Sequence, residues 1–118
     1  MIKFIRPYFH FKDSRGAIQG IIQEGNWKEI NIIHSKKGTR RGDHYHKKVN
    51  ELFVILTGKI RVHLQSYDEK ERTMQIVFLA GDVFIVEKGT YHTFEILENS
   101  RWINALDGIV KDDTYKKT

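Results

Sequence analysis

The chain has 118 residues and no cysteine, which fits one domain and excludes both a disulfide framework and a thiolate metal site. Its 20 Lys and Arg against 15 Asp and Glu leave a net charge of +5, which favours an anionic partner. No apolar run approaches the roughly 20 residues of a membrane span, and no nucleic-acid motif accompanies the basic residues.

In chain order, residues 1–11 alternate weakly, with Ile2, Phe4, Tyr8 and His10 of one parity. Pro7 confines this run to an edge strand or an arm. The N-terminus lacks an apolar h-region and a small-residue cleavage site, so a cytoplasmic location is expected. Residues 12–16 form a turn cluster, 17–23 a short apolar run and 25–26 a second turn. Residues 27–34 then predict a strand with Trp27 packed inward. The run LFVIL at 52–56 is short and branched, which predicts a strand buried on both faces. Thr57-Gly58 predicts a tight turn. Residues 59–65 alternate cleanly, with Ile60, Val62 and Leu64 on one face and Lys59, Arg61, His63 and Gln65 on the other. His63 is either a base inside a pocket or a solvated side chain outside. The charged stretch 67–72 predicts a mobile hairpin tip. Strands are expected at 73–79, 83–86 and 91–97, with a turn at 98–100. Residues 102–106 and 109–110 complete the set, and 111–118 predict a frayed charged tail. Many short strands with turns every 8–12 residues indicate an all-β sandwich or barrel.

The most informative stretch is GTRRGDHYHKKVNE at 38–51. On an extended strand His44 and His46 share a face and Tyr45 takes the other. Glu51 follows His46 at an odd offset and reaches the same spot only if the KKVN turn or a bulge resets the alternation. His92 lies in a later strand-like run. Three imidazoles and one carboxylate meeting inside a barrel would make a mixed N/O site suited to zinc, nickel, manganese or iron. Around the His pair lie Lys36, Lys37, Arg40, Arg41, Lys47 and Lys48, opposed by Asp43 alone. They form either a positive rim for a phosphate or a solvated loop. Tyr91, beside His92, is either a proton donor or wall packing.

Gly38, His44, His46, Glu51 and Gly58 resemble the first motif of the cupin superfamily at every fixed position. Gly81, Gly89 and His92 are similar to its second motif. Glu87 there replaces the usual proline and Ile96 the usual asparagine. The motifs span 38–58 and 81–96. The resemblance implies one cupin domain over 1–118, an all-β jelly-roll barrel around a small-molecule pocket, and a homodimer in which the N-terminal run exchanges as an arm. It also implies His44, His46, Glu51 and His92 as ligands of a divalent metal ion.

The run RGDHYHK at 41–47 is similar to a segment of the nucleotide-sugar 3,4-ketoisomerases and of the C-terminal cupin domain of capsular-polysaccharide epimerase–reductases. That likeness implies a nucleotide-linked keto-sugar as substrate, with Arg41, His44 and His46 facing it. The basic rim adds Arg40 and Lys47 as substrate-binding candidates beside Arg41, and Tyr91 joins His44 and His46 as a catalytic candidate by its place next to His92. Isomerisation or epimerisation in polysaccharide or deoxysugar synthesis is the expected activity. The alternatives are a non-catalytic sugar-binding cupin and a metal-dependent dioxygenase.

Overall fold

The fold comes from a computed structural model that describes residues 1–116. Ten strands, all paired antiparallel, follow in order: β1 (Ile2–Phe4), β2 (Phe9–Asp13), β3 (Gly16–Gly20), β4 (Glu29–Ser35), β5 (Arg40–Tyr45), β6 (Glu51–Ser66), β7 (Thr73–Leu79), β8 (Val83–Val86), β9 (Thr90–Leu106) and β10 (Tyr115–Lys116). The strands β6 and β9 are 16 and 17 residues long, and each serves two sheets. The first half of β6 and the second half of β9 lie between β8 and β4, with β1 outside β8. Their other halves lie between β7 and β5, with β10 outside β5. The result is the expected jelly roll.

Phe53, Ile55, Ile60, Val62, Phe84, Phe94 and Trp102 fill the space between the sheets. Phe78 stacks on Phe84 with ring centroids 3.9 Å apart. Leu52 points the other way, into a second cluster with Val83, Ile85 and Ala105. The run at 52–56 is thus buried on both faces, as its unbroken apolar character predicts.

Several boundaries differ from the sequence expectation. The first eleven residues make two strands, because Pro7 separates β1 from β2. Trp27 precedes β4 and covers the outer cluster instead of packing inward. Thr57-Gly58 is not a turn. It is a bulge within β6, where the register against β9 shifts between Ile55 and Ile60. Gly58 has φ +98°, and a Cβ there would collide with the Ser100 hydroxyl and the Asn99 carbonyl. The expected turn at 98–100 is continuous strand facing that bulge, and the Ser100 hydroxyl accepts the Lys59 N–H at 3.1 Å. Residues Val110–Asp112 form a single 3-10 turn, not a strand.

The tail is not frayed over its described part. Asp113 is buried, and Tyr115 packs on Tyr45 with centroids 5.4 Å apart. The last two residues of the expected frayed segment lie outside the described residues.

Candidate metal centre

His44 reaches the barrel interior through a local distortion of β5. Gly42 and Asp43 have φ of +92° and +61°, and the pairing with β9 shifts register between Gly42 and His44. Two left-handed residues in succession bulge the strand and re-aim the next side chain. A Cβ on Gly42 would sit 2.6 Å from the His92 carbonyl, so only glycine permits this approach. Beyond the bulge His44 lies directly opposite His92, and their rings stand 4.6 Å apart. His46 follows on the same face at 4.9 Å from His44. Tyr45 takes the opposite face, against Tyr91 and Tyr67.

Glu51 is delivered by the loop 46–50, whose backbone is held from the far end of the chain. The Asp113 carboxylate accepts the N–H groups of Lys47, Lys48 and Val49 at 3.1, 2.9 and 3.1 Å. Asp107 accepts the Asn50 N–H at 2.8 Å. Four successive donors captured by two carboxylates fix the loop that resets the parity between His46 and Glu51. Glu51 Oε1 then lies 2.5 Å from His46 Nε2 and 3.5 Å from His92 Nε2. One nitrogen or oxygen from each of His44, His46, Glu51 and His92 falls within 4.8 Å of the others.

Main-chain carbonyls orient the rings. Nδ1 of His46 donates to the Asp113 carbonyl at 2.8 Å, and Nδ1 of His92 donates to that of Thr90 at 3.1 Å. Both rings therefore turn Nε2 toward the carboxylate, the arrangement that outer partners impose on metal-binding histidines. The His44 ring bonds to the Gly42 main chain.

Burial and mutual proximity split the protonation states. Burial, and then the neighbouring His92 and His46, push His44 down to about 4. Burial also lowers His92. Burial would lower His46 as well, but the bond to Glu51, the Glu51 charge and Asp113 together leave the ring raised. Burial would raise Glu51, and the His46 bond with the nearby His92 turns it down. The close contact of His46 with Glu51 thus favours a proton held between the two buried groups. A divalent cation fits the donor set. It would replace that proton and compensate a carboxylate that is costly to bury alone.

The four groups floor a cavity of about 200 Å³ with apolar walls that include Phe53, Phe94 and Trp102. The Trp102 indole N–H is buried on that wall with no acceptor among the described residues. Arg41 stands on the cavity lining, its guanidinium donating to the Ser35 hydroxyl and the His34 carbonyl at 3.1 Å each.

The other two expected anion-binding residues point elsewhere. Arg40 pairs with Asp43 at 3.3 Å, and the Lys47 ammonium lies 4.2 Å over the Tyr115 ring. Tyr91 is also away from the floor. It is next to His92 on a strand, so it must take the other face, where it packs 4.5 Å from Tyr45. That placement removes it as a proton donor to the cavity. His63 lies outside, paired with Glu95 at 3.0 Å. Asn104, Asp107 and Asp113 were not singled out from sequence. Each is an ordinary polar residue whose partner lies more than 50 positions away.

A family model described as the polysaccharide biosynthesis C-terminal domain matches residues 11–115. No curated protein sequence matches the chain significantly. Among solved structures, the sugar 3,4-ketoisomerase QdtA from Thermoanaerobacterium thermosaccharolyticum, in complex with TDP, is similar at 17% identity and a TM-score of 0.79. That match covers 98% of this chain and 88% of QdtA. The dTDP-6-deoxy-D-glucose-3,5-epimerase RmlC from Legionella pneumophila is similar at 16% identity and a TM-score of 0.75, covering 98% and 77%. The capsular polysaccharide assembling protein CapF from Staphylococcus aureus is similar at 21% identity and a TM-score of 0.69. There 92% of this chain covers 33% of CapF.

Proposed function

The chain belongs to the polysaccharide biosynthesis C-terminal domain family, and from that premise we propose that it is a divalent-metal-binding isomerase or epimerase of nucleotide-linked keto-sugars. The observation that carries this reading is the convergence of three imidazoles and one carboxylate on the floor of an apolar-walled cavity. His44, His46, Glu51 and His92 would hold the ion. When bound, it supplies Lewis acidity toward a carbonyl oxygen. Arg41, with its guanidinium fixed by Ser35 and His34, binds the anionic part of the substrate at the lining. Phe53, Phe94 and Trp102 exclude water from the reacting carbon. The similar QdtA and RmlC structures concern sugar isomerisation and epimerisation, which supports this substrate class.

The ion-loaded protein, incubated in deuterated water with nucleotide-linked 4-keto-6-deoxy sugars, is expected to place deuterium on the carbon next to the ketone. No incorporation across a substrate panel would contradict the reading.

The split protonation of the histidines favours a second reading without an ion. Two titratable groups driven apart by their surroundings are the usual mark of an acid and a base. The neutral His44 would remove the proton, and the His46 imidazolium, held by Glu51, would stabilise the developing oxyanion. Deuterium exchange that survives removal of metal by a chelator selects this route; exchange abolished by the chelator and restored by the ion selects the first.

The chain is proposed to act as a homodimer. Among the described residues the β2–β3 hairpin pairs only with itself and exposes Phe9, Phe11 and Ile18, while β4 exposes Ile30 and Ile32. A two-stranded hairpin without a core is marginal alone, and a second copy would cover both surfaces. Light scattering should report a dimer, and Phe11→Asp combined with Ile18→Asp a monomer. A monomeric wild-type protein would contradict the proposal.

A further inference from the structure

We propose that Asn104, itself held by Asn31, is a positioning residue that makes Glu51 present a single oxygen to the three imidazoles. The inference rests on the ion-binding reading above. Glu51 Oε1 faces His46 and His92, whereas Oε2 accepts the Asn104 side-chain N–H at 3.1 Å. The Asn104 carbonyl in turn accepts the Asn31 side-chain N–H at 3.0 Å. Residues 31 and 104 lie directly opposite on β4 and β9, so their side chains meet on one face of the sheet.

The direction of this relay is fixed by chemistry. A carboxylate only accepts, so Asn104 must give it the amide nitrogen. The Asn104 side chain is buried, and its carbonyl therefore needs a donor, which Asn31 supplies. Asn31 itself is exposed and lines the cavity. The chain of bonds thus runs from the cavity wall to the far oxygen of the ligand carboxylate. With Oε2 occupied, Glu51 acts through Oε1 alone. The residues that would hold an ion then offer three nitrogens and one oxygen, and an ion that takes more than four ligands would keep room for the oxygens of a substrate. If Oε2 were free, the carboxylate could turn and take one of those positions.

The test uses cobalt(II) as the probe ion, with affinity measured by chelator competition and coordination by the visible absorption spectrum. The wild-type chain of 118 residues should bind one ion. Asn104→Leu, with the same heavy-atom count and branching and no hydrogen-bonding groups, should bind about 10- to 100-fold more weakly and show a changed spectrum. Asn31→Ala should show the same spectral change to a lesser degree, with affinity lower by about two- to tenfold. Wild-type affinity and spectrum in Asn104→Leu would overturn the inference while leaving the ion site standing. A wild-type chain that takes up no cobalt would overturn the ion site and the inference together. If Asn104→Leu does not fold, Asn31→Ala decides, because its side chain is exposed. An altered cobalt spectrum there supports the inference, and an unaltered one overturns it.

Discussion

Replacing Asp113 with alanine is expected to lower the folding stability by about 3 kcal/mol, roughly 1 kcal/mol for each of three backbone donors left without an acceptor. For a chain of this size that corresponds to a fall of roughly 10 °C in the thermal midpoint. Those donors belong to Lys47, Lys48 and Val49, of which Val49 is buried and depends most on the carboxylate. The effect should extend beyond stability. The Asp113 carbonyl also orients the His46 ring, so loosening the tail frees both the loop and a ligand. Asp113→Asn keeps an acceptor oxygen and should fall between the two. An unchanged midpoint in Asp113→Ala would mean that the loop 46–50 holds its shape without the tail.

Glu51→Gln is the second large change expected. It keeps the side-chain shape and removes the ligand charge, and the loss should exceed the 10- to 100-fold cost of losing an outer partner of a metal ligand. The same substitution should lower the titration of His46. Burial pulls the ring down in the wild type, and the bond to Glu51, its charge and Asp113 together raise it. With glutamine the carboxylate charge is gone, and the ring should titrate lower than in the wild type, which proton NMR can follow.

The pH dependence of stability follows from the same pair. Glu51 is lowered from 4.5, so its contribution is present above that value and is lost as pH falls through its folded pKa. His46 is raised from 6.5, so its contribution is present below that value and is lost as pH rises through its folded pKa. The pair therefore stabilises the ion-free protein most between about pH 4.5 and 6.5. His44 works against it on the acid side, because a ring held down to about 4 costs stability as pH falls from 6.5. In Glu51→Gln the stabilising window should disappear.

Much of this site was legible before the fold was known, for a local reason. Strand alternation alone puts His44 and His46 together and Tyr45 opposite. The glycine at 42 and the polar turn at 47–50 mark where alternation must break. Applied to Tyr91, the same rule selects wall packing over proton donation, since a residue adjacent to His92 on a strand has to face away from it. The basic cluster also read as one surface, yet Arg40 and Lys47 are drawn off by Asp43 and Tyr115, and Arg41 remains at the cavity. Thr57-Gly58 and 98–100 carry turn chemistry, but they face each other as a bulge and its partner strand, which only long-range pairing reveals. Asp107 and Asp113 could not be found locally, because the backbone groups they serve are more than 50 residues away. A charged tail at the end of a chain looks frayed until its acceptors find those donors.

Calorimetric titration of chelator-treated protein with zinc at pH 7, in two buffers of different ionisation enthalpy, tests the proposed metal centre most directly. Saturable uptake of one ion per chain is expected, with proton release that grows as the pH is lowered and His46 gains its proton. No saturable uptake, or uptake of unchanged affinity in Glu51→Gln, would contradict that proposal.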